Sequence, residues 1–563
     1  MATKKKTPKY IFVVGGVMSG VGKGTATASL GLLLKRRGFN VTAIKADPYI
    51  NVDAGTMNPI EHGEVFVTDD GDETDQDIGS YERFLDTTIL SHNYMTTGRV
   101  YRTVIEKERA LEYGGKCVEV VPHIPEEIIR RFKEAQKKAD ADFVMVEIGG
   151  TIGEYQNILF LEAARMMKQQ APEDVLFVLV SYLPIPGRLG EMKTKPTQYA
   201  ARTLNSAGIQ ADFIVARASL PIDEPRKKKI GMFCSVPEEC VISGPDMSSV
   251  YRIPIMFEEQ KFADLVLKKL GLKAGTKTTK EWFDWADEVR EYKHEVRIGV
   301  VGKYFTTGSF MLADAYFSVV EALRHAVWAN KKKPILEWID SEKFEKDPKS
   351  IKELKKYDGI VVPGGFGKRG IEGIIYVIKY ARENKIPYLG LCYGMQLAVV
   401  EYTRHVLGLK DAHTTEIDKK TSNPVIDIMP EQFANLQKSN FGGSMRLGAY
   451  LAVLREGTIA IESYAKSKNS RWNFEKKNGG AIVHERHRHR YEVNPEYIMR
   501  LENSGMIFSG KSPNGVLMEI MELPKKTHPF FLGTQFHPEY TSGPLKPHPL
   551  FTAFIKAATA DRK

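Results

Sequence analysis

The stretch Tyr10-Ile-Phe-Val-Val-Gly-Gly-Val-Met-Ser-Gly-Val-Gly-Lys23-Gly-Thr25 decides the fold of the first half of the chain. A short apolar run is followed by a glycine-rich loop and then, over 26–37, by the apolar periodicity of a helix. Strand, glycine loop and helix in this order predict a phosphate-binding loop, because backbone N–H groups, the helix N-terminus and Lys23 all favour an anion. The strict pattern places Ser or Thr directly after the lysine, so Gly24 makes this loop a variant.

The alternation of short apolar runs with helical patterns continues almost throughout the chain. It predicts an α/β fold with two doubly wound domains and mainly parallel sheets, whose sites lie at the carboxyl ends of strands. The predicted strands are 11–14, 41–44, 143–147, 175–180, 213–216, 297–301, 359–362 and 388–391, and two clear helices are 124–136 and 374–383.

The chain has 563 residues, more than the ~250–300 that one hydrophobic core serves, so at least two domains are expected. A polar, glycine-bearing segment at 271–280 is followed by a short helical pattern and then by a new strand. We therefore predict a first domain at 1–270, a linker at 271–296 and a second domain at 297–563.

Composition excludes several classes of protein. With 42% hydrophobic and 27% charged residues, the chain is neither intrinsically disordered nor a coiled-coil rod. The net charge of +10 comes with no nucleic-acid-binding motif. No apolar run reaches the ~18 residues of a membrane span, and four scattered cysteines form no disulfide framework. We expect a cytoplasmic protein that binds neither nucleic acid nor membrane.

Two acidic features could hold Mg²⁺ for a triphosphate substrate. One is the acidic run 69–77, and the other is Glu147, which ends an apolar strand just before two glycines. A further cluster, Lys193-Thr-Lys-Pro-Thr-Gln198, presents lysines, hydroxyls and an amide at a turn, and with Lys229 it would suit a triphosphate.

The second half carries a different chemistry. Gly390-Leu-Cys392-Tyr-Gly394 has the form of a nucleophile elbow, a sharp strand-to-helix turn that exposes its central side chain. Gln535-Phe-His537-Pro-Glu539 offers a base and a carboxylate to orient it. The loop Pro363-Gly-Gly-Phe-Gly367 could supply backbone N–H groups to an oxyanion. Together these segments predict an amide hydrolase.

These motifs together resemble the CTP synthase family, ATP-dependent amidotransferases that make CTP from UTP and glutamine. The resemblance covers nearly the whole chain. Its first part resembles the family's P-loop NTPase-like synthase domain and its second part a class I glutaminase domain. Besides Gly15–Ser19, Gly22–Gly24, Pro363–Gly367 and Cys392–Gln396, the motifs that carry it are Lys45-Ala-Asp-Pro-Tyr-Ile-Asn-Val-Asp53, His62-Gly-Glu-Val-Phe-Val67, Tyr81-Glu-Arg-Phe84, Lys193–Gln198, Glu485-Arg-His-Arg-His-Arg-Tyr491 and Gln535–Glu539.

The resemblance implies a set of nucleotide contacts and two magnesium ligands, Asp77 and Glu147. The implied ATP contacts are Ser19, Gly20, Val21, Gly22, Lys23, Gly24, Thr25, Arg217, Pro245, Asp246 and Met247. The implied UTP and CTP contacts are Ser19, Lys45, Glu154, Tyr155, Gln156, Lys193, Thr194, Lys195, Pro196, Thr197, Gln198 and Lys229.

For the glutaminase, the resemblance implies the catalytic residues Cys392, His537 and Glu539. The implied glutamine contacts are Gly365, Tyr393, Gly394, Met395, Gln396, Glu416 and Arg490. His62 and Val65 match the gate of the family's ammonia channel. The family also implies Mg²⁺, GTP as activator through a lid near 109–116 and the loop 367–372, CTP as feedback inhibitor, a homotetramer and filaments.

Two departures from the family pattern concern regulation. The family commonly has Asp-Ile-Glu where this chain has Glu154-Tyr155-Gln156, so we expect weaker inhibition by CTP. The family commonly has leucine before glycine in the lid, where this chain has Gly114, so we expect weaker activation by GTP.

Two alternatives remain open at this point. One is another P-loop amidoligase with a fused glutaminase, of the cofactor a,c-diamide synthase type, although Lys193–Gln198 argues against it. The other is a P-loop switch ATPase of the partitioning type, which would leave Cys392, His537 and Glu539 without a role.

Overall fold

The computed structural model describes residues 7–187, 190–302, 306–307, 310–311, 313–429, 432, 442–467, 472–477 and 479–560, without the side chains of 59–60, 306–307, 310–311 and 313–314. The strands in chain order are β1 (Lys9–Gly16), β2 (Val41–Asp47), β3 (Val65–Val67), β4 (Glu73–Asp75), β5 (Tyr94–Thr96), β6 (Phe143–Ile148), β7 (Val175–Tyr182), β8 (Phe213–Ala218), β9 (Val241–Pro245), β10 (Glu295–Gly302), β11 (Thr306–Thr307), β12 (Phe310–Met311), β13 (Lys333–Asp340), β14 (Gly359–Val362), β15 (Tyr388–Leu391), β16 (Ala412–Thr414), β17 (Asn423–Ile428), β18 (Arg446–Arg455), β19 (Glu475–Lys477), β20 (Gly480–His489), β21 (Tyr491–Val493), β22 (Ile507–Lys511), β23 (Met518–Glu522) and β24 (Phe531–Thr534).

The α-helices of the described residues are α1 (Lys23–Lys35), α2 (Pro59–His62), α3 (Gln76–Leu85), α4 (Thr97–Arg109), α5 (Val120–Ala139), α6 (Ile158–Gln170), α7 (Lys195–Ser206), α8 (Glu224–Cys234), α9 (Ile253–Glu259), α10 (Phe262–Lys269), α11 (Lys280–Glu288), α12 (Phe317–Ala329), α13 (Glu342–Lys346), α14 (Ile371–Glu383), α15 (Tyr393–His405), α16 (Ile459–Lys466), α17 (Pro495–Asn503) and α18 (Pro549–Ala558). None of these helices is both long and apolar enough to cross a membrane.

The chain folds into two compact units. The first contains the residues up to Ala54 together with Asp77–Asp287, and the second contains Gly55–Gln76 together with Glu288–Lys563. The segment Gly55–Gln76 thus packs with the second unit, whereas the sequence grouped it with the first domain.

The first unit is built on a seven-stranded sheet in the order β5-β2-β6-β1-β7-β8-β9. Every neighbouring pair in it is parallel. Its central strands are continuous apolar runs, as expected when helices cover both faces, and Phe12 packs against Phe132 and Phe177. The predicted α/β architecture is confirmed in this unit.

The second unit has a ten-stranded sheet in the order β13-β10-β14-β15-β24-β23-β22-β18-β20-β19. The first five strands are parallel, and the remaining pairs are antiparallel. Helices α14 and α15 lie over one face of the sheet, and α12 and α18 lie over the other. The α/β class is confirmed here too, but an antiparallel half extends the parallel strands that the sequence predicted.

In the first unit, a buried carboxylate ties α4 to α5. Glu127 accepts hydrogen bonds from Lys107 Nζ at 2.8 Å, Arg130 Nη2 at 2.7 Å and Arg131 Nε at 2.8 Å. Burial alone would raise the pKa of Glu127, but hydrogen bonds from Arg130 and Lys107 outweigh it and lower the pKa to about 2.

We predict that Glu127→Gln destabilises the α4–α5 pair by about 1–3 kcal/mol at neutral pH. Because the folded pKa of Glu127 lies below its unfolded value, its contribution is complete above pH 4.5 and is lost as the pH falls toward about 2. Hydrogen exchange of α4 and α5 amides measures the difference, which should shrink below pH 4.5. The control is Glu134→Gln on the same helix, where the carboxylate is 36% exposed and a small change is expected. An equal loss in both variants, or a Glu127→Gln loss that does not change with pH, would contradict this account.

Candidate active sites

The glycine loop of the first unit leads from β1 directly into α1. Gly22 has φ +93°, a left-handed conformation at the start of the helix that suits glycine. Lys23 is buried, and its Nζ donates a hydrogen bond to Gly150 O at 2.9 Å. The lysine is therefore held at the carboxyl end of the sheet, where a phosphate site is expected.

A lysine lies among three carboxylates beside this loop. Lys45 and Glu147 are register partners on β2 and β6, and Lys45 Nζ lies 3.1 Å from Glu147 Oε1 and 3.8 Å from Asp47 Oδ1. It also forms a close ion pair with Asp77 at the start of α3, while Tyr81 OH donates to Glu147. Burial raises the pKa of Asp47; Lys45 opposes that shift, and the charges of Glu147 and Asp77 add to it.

This cluster has the composition that a divalent cation requires. Asp47, Asp77 and Glu147 bring up to three negative charges against the single ammonium of Lys45, and Mg²⁺ prefers oxygen ligands of this kind. Gly24 makes room for one of them, because a Cβ there would lie 2.0 Å from Asp77 Oδ1. The departure of the loop from the strict pattern thus has a steric reason. The chemistry of the donor set fits the two predicted magnesium ligands.

Arg217 joins the glycine loop to the segment after β9. Its Nε donates to Val21 O at 3.3 Å, and its Nη1 donates to Gly244 O at 2.6 Å and Pro245 O at 2.9 Å. Its Nη2 pairs with Asp246 at 2.9 Å. The structure therefore brings together most of the predicted ATP contacts, and Met247 follows directly in the chain, half-buried.

The predicted triphosphate cluster lies at the start of α7. Thr194 precedes the helix and Pro196 occupies its first turn, while Thr197 is buried and accepts a hydrogen bond from Ser181 Oγ at 2.9 Å. Ala200 of the same helix packs on Gly16, because a Cβ on that glycine would lie 2.7 Å from it. The helix thus passes over the end of β1, next to the glycine loop.

The other predicted triphosphate contacts are more accessible. Lys195 and Lys229 are exposed, and Ser19 is exposed in the glycine loop. Lys193 pairs with Glu191 at 2.5 Å, and Gln198 Nε2 donates to Thr194 Oγ1 at 3.1 Å. Their side chains are available to a solvent-facing ligand.

The segment Glu154–Gln156 forms an exposed turn after β6. Glu154 Oε1 accepts a hydrogen bond from Thr151 N at 2.8 Å, and Tyr155 is 94% exposed. Gln156 is exposed as well. Among the described residues of the turn, Gln156 has no buried polar partner. Such a partner would be needed for Gln156 to have a strong effect on CTP binding.

Cys392 lies in the sharp turn between β15 and α15. Its φ of 50° and ψ of −98° are strained for a non-glycine residue. A Cβ on Gly394 would lie 2.2 Å from Val362 O, so the turn requires a residue without a side chain there. This is the geometry of the predicted nucleophile elbow, which places the thiol at the carboxyl end of the parallel strands.

His537 and Glu539 lie beside this cysteine. His537 Nδ1 is 2.7 Å from Glu539 Oε1, and both side chains are buried. Burial would lower the pKa of His537, but the negative charges of Glu539 and Cys392 outweigh it and raise the pKa to about 10. No hydrogen-bond partner within normal distance lies at His537 Nε2 among the described residues, so this nitrogen is left to exchange a proton with the thiol.

The glycine loop after β14 covers the same pair. A Cβ on Gly364 would lie 2.9 Å from His537 Cε1 and 3.8 Å from Cys392 Cβ. Gly365 lines the cavity next to Cys392, and Gly367 N donates to Glu416 Oε1 at 3.0 Å. The loop is therefore close enough to present backbone N–H groups to a substrate carbonyl bound at Cys392.

The predicted glutamine contacts surround this loop and α15. Tyr393 OH donates to Gly367 O at 3.3 Å, and Gln396 Nε2 donates to Tyr491 O at 2.9 Å. Met395 is fully buried. Arg490 Nη1 donates to Gln432 Oε1 at 2.8 Å and Ser444 Oγ at 3.0 Å, so its guanidinium is oriented by neighbouring side chains.

The segment Gly55–Gln76 forms part of a cavity of about 100 Å³ in the second unit. Cys392, His537 and Glu539 line it together with Glu64, Val65, Tyr316 and Tyr540. Tyr540 OH donates to Val65 O at 3.0 Å. His62 lies outside the cavity lining, with its Nε2 3.5 Å from Asp75 Oδ2. Of the two predicted gate residues, Val65 therefore lines the same cavity as Cys392, and His62 does not.

Arginines on β20 hold this segment in place. Arg486 forms an ion pair with Asp69 and donates to Val67 O at 3.1 Å, and Arg488 Nε lies 2.8 Å from the buried Glu73. The acidic run 69–77 is therefore divided between two tasks. Asp69 and Glu73 anchor the segment in the second unit, whereas Asp77 lies near Glu147 in the first.

The predicted lid follows α4. Gly114 has φ +61° and Gly115 has φ +78°, and in the described part of the chain no atom lies within 4 Å of a Cβ built on either glycine. A leucine at position 114 would be strained in this conformation, which the sequence did not reveal. In the second predicted lid loop, Arg369 pairs with Glu342, and Glu372 pairs with Arg404 at 2.8 Å.

Sequence reasoning missed several residues that shape these sites. Asp47 and Tyr81 belong to the carboxylate cluster, and both lie in segments whose resemblance to the family implied no role for them. Glu64, whose carboxylate accepts Ser318 N at 3.0 Å, and Glu73 are buried charges. Glu64 directly precedes β3, and Glu73 begins β4 within the acidic run 69–77. Their partners, Ser318 and Arg488, lie far away in the sequence.

The sequence is similar to known proteins over nearly its whole length. The family described as CTP synthase N-terminus matches residues 9–272, and glutamine amidotransferase class-I matches residues 311–557. CTP synthases of Pyrococcus abyssi and Thermococcus gammatolerans are 50% and 49% identical over 552 residues, with 98% of each chain covered. A solved structure, the Trypanosoma brucei CTPS glutaminase domain with bound acivicin, is 36% identical and covers 47% of this chain and 93% of that chain, with a TM-score of 0.41.

The two units and their sites define a glutamine-dependent ligase, in which a phosphate-loop unit is joined to a class I glutaminase. The chain belongs to the CTP synthase family, and the resemblance read from the sequence is confirmed. A diamide synthase or a partitioning ATPase is not favoured, because these relatives match the chain over its whole length.

We predict that Gly24→Ala lowers CTP formation roughly tenfold or more with either glutamine or ammonia, because the new methyl group displaces the Asp77 carboxylate. Glutamine hydrolysis measured without nucleotides should be unchanged. Gly31→Ala in the same helix is the matched control, since its Cβ would meet apolar side-chain atoms of Leu85, Met145 and Val41, the nearest of them Leu85 Cδ2 at 3.1 Å. Equal rates of CTP formation in Gly24→Ala and the parent protein would show that the close approach of Asp77 to Gly24 is not required for activity.

Proposed function

We propose that this protein converts UTP to CTP, using ATP to activate the C4 oxygen of uracil and glutamine as the nitrogen donor. The observation that carries the proposal is the presence in one chain of the Lys23 loop with its carboxylate cluster and of Cys392 close to the pair His537–Glu539. Full-length similarity to CTP synthases supports the choice of UTP as substrate.

In the first unit, the loop 19–25 and Lys23 bind the ATP phosphates, and Arg217 with Pro245–Met247 borders the adenine. Lys193, Lys195, Gln198 and Lys229 bind the UTP triphosphate. The C4 oxygen is a poor leaving group, so transfer of the γ-phosphoryl group of ATP to it makes displacement by ammonia possible. The exposed lysines at α7 and α8 suit this role because a triphosphate needs several positive charges.

Asp77 and Glu147 would hold Mg²⁺. The ion, when bound, neutralises negative charge on the transferring phosphoryl group. Lys45 holds both carboxylates in place from β2, and Gly24 leaves the space that Asp77 occupies.

In the second unit, His537 Nε2 takes the proton of Cys392, and the thiolate attacks the side-chain carbonyl of glutamine. N–H groups of the loop 363–367 receive the oxyanion. The protonated His537 then gives its proton to the leaving ammonia as the thioester forms, and water releases glutamate. Glu539 stabilises the imidazolium, consistent with the pKa of His537 near 10. Gly365, Tyr393, Gln396, Glu416 and Arg490 position the substrate.

Ammonia must reach the first unit without contact with bulk water, because only neutral NH₃ attacks and free NH₃ is protonated. The cavity next to Cys392 leads to Val65, which supports a role for the segment Gly55–Gln76 in releasing ammonia from the glutaminase site. His62 and Val65 are the proposed gate of that route.

Regulation and assembly are proposed on family resemblance. GTP would activate the glutaminase through the residues near 109–116 and 367–372, and CTP would inhibit through the triphosphate contacts it shares with UTP. A homotetramer that can form filaments and a cytoplasmic location complete the proposal. The left-handed conformation of Gly114 supports the expectation that activation by GTP differs from the common family pattern.

Cys392→Ala should abolish CTP formation from glutamine and leave synthesis from added ammonia within about twofold, because the thiol acts only in the amide hydrolysis. Absorbance detection of CTP from UTP, ATP and Mg²⁺ with each nitrogen source measures both rates. A folded Cys392→Ala variant that also loses the ammonia-driven reaction would refute this division of tasks.

Lys23→Ala should instead reduce CTP formation with both nitrogen sources by roughly 100-fold or more, since either source uses the same phosphorylated intermediate. The matched control is Lys35→Ala in the same helix, whose Nζ contacts the carbonyl of Leu85 far from the loop; it should retain near-parent rates. Near-normal rates in Lys23→Ala would exclude the phosphate-loop assignment.

A further inference from the structure

Gln535 is buried next to Cys392, and the proposed mechanism assigns no role to Gln535. Its relative exposure is 0%, and its Nε2 donates to Cys392 Sγ at 3.5 Å. The backbone holds it there, because Gln535 N donates to Glu519 O at 2.8 Å on the neighbouring strand β23. Gln535 follows β24 directly and precedes the catalytic base, His537, by two residues.

Hydrogen bonds fix which end of this amide faces the sulfur. Tyr491 O can only accept, so Gln396 turns its NH₂ group toward it, at 2.9 Å. The same NH₂ group lies 3.3 Å from the side-chain amide of Gln535. Gln535 must therefore present its Oε1 to Gln396. With Oε1 occupied in this way, the NH₂ group of Gln535 points at Cys392 Sγ.

A buried thiolate needs such a donor. Burial disfavours the charged form of a group that has lost its water, and in this chain burial raises the pKa of Cys234 to about 11. An N–H group aimed at sulfur replaces part of the lost hydration and favours the negative charge. The amide is neutral, so it adds this effect without competing with His537 for the proton.

We propose that Gln535 is a positioning residue that donates a hydrogen bond to the Cys392 thiolate and that Gln396 sets the direction of this donor. The proton leaves Sγ for His537 Nε2, and Gln535 holds the resulting charge on sulfur until the carbon–sulfur bond forms. The hydrogen bond then weakens as the charge moves to the carbonyl oxygen of the substrate. This inference rests on the proposed role of Cys392 as nucleophile.

The test is the rate of Cys392 alkylation by iodoacetamide, followed by peptide mass spectrometry across a pH series. Exposed Cys117 in the same molecule is the internal reference for an ordinary thiol. The variants are Gln535→Met, which keeps the length of the side chain but has no donor, and Gln535→Glu, which places a negative charge near the sulfur. Synthesis of CTP from added ammonia checks that each variant is folded.

We expect Gln535→Met to slow alkylation of Cys392 roughly tenfold at neutral pH, and we expect this deficit to shrink as the pH rises toward ~10, above the range in which ordinary thiols ionise. Gln535→Glu should be slower still at neutral pH. Glutaminase kcat should fall in both variants, while KM for glutamine changes less than about twofold, since Gln535 touches the nucleophile and not the substrate.

Equal alkylation rates in Gln535→Met and the parent protein would overturn the proposal. A deficit that stays the same up to pH ~10 would overturn it too, because it would mean altered access to the thiol. A different failure belongs to the proposed function itself. If Cys392 reacts no faster than Cys117 in the parent protein, Cys392 is not an activated nucleophile. Both the inference about Gln535 and the proposed glutaminase mechanism would then be wrong.

Discussion

The ammonium of Lys45 lies among the carboxylates of Asp47, Asp77 and Glu147, and the first unit depends on this interaction. Buried carboxylates are costly without a positive partner, so the carboxyl ends of β2 and β6 and the start of α3 can come together only around this lysine. The remaining excess of negative charge suits a divalent cation. The glycine after Lys23 follows from the same constraint, because Asp77 occupies the space that any larger side chain would take.

The second unit obeys the same rule of paired buried charge. Arg486 and Arg488 on β20 pair with Asp69 and Glu73, and this fastens the segment Gly55–Gln76 next to the cysteine. The imidazole of His537 is stabilised as a cation by Glu539, which raises its pKa to about 10. Paired charges, which would be too costly to bury singly, thus position Cys392, its base His537 and the wall of the adjoining cavity.

Much of the fold could be predicted from local sequence. The predicted strands 359–362 and 388–391 coincide with β14 and β15, because short apolar runs between glycines and helical patterns suit only buried parallel strands. The antiparallel half of the second sheet could not be predicted in this way. Its strands, such as β18, alternate between buried and exposed residues, and their partners are set by long-range pairing.

The same distinction between local motifs and long-range contacts applies to the sites. The glycine loop, the elbow at Cys392 and the pair His537–Glu539 are local motifs, so spacing alone indicated them. The acidic run 69–77 was predicted as one feature, but its members contact different partners because the chain passes from one compact unit to the other within it. The direction of the Gln535 amide depends on three residues that are distant in sequence, and no local pattern contains that information.

The central claim is that nitrogen released at Cys392 is the nitrogen that enters the pyrimidine. Transfer of ¹⁵N from amide-labelled glutamine to CTP, in the presence of excess unlabelled ammonium and with UTP, ATP and Mg²⁺, tests it most directly. The account predicts that mass spectrometry finds ¹⁵N in the CTP at a far higher proportion than in the ammonium of the solution. CTP whose label matches the ammonium of the solution, or glutamine hydrolysis without any CTP, would contradict it.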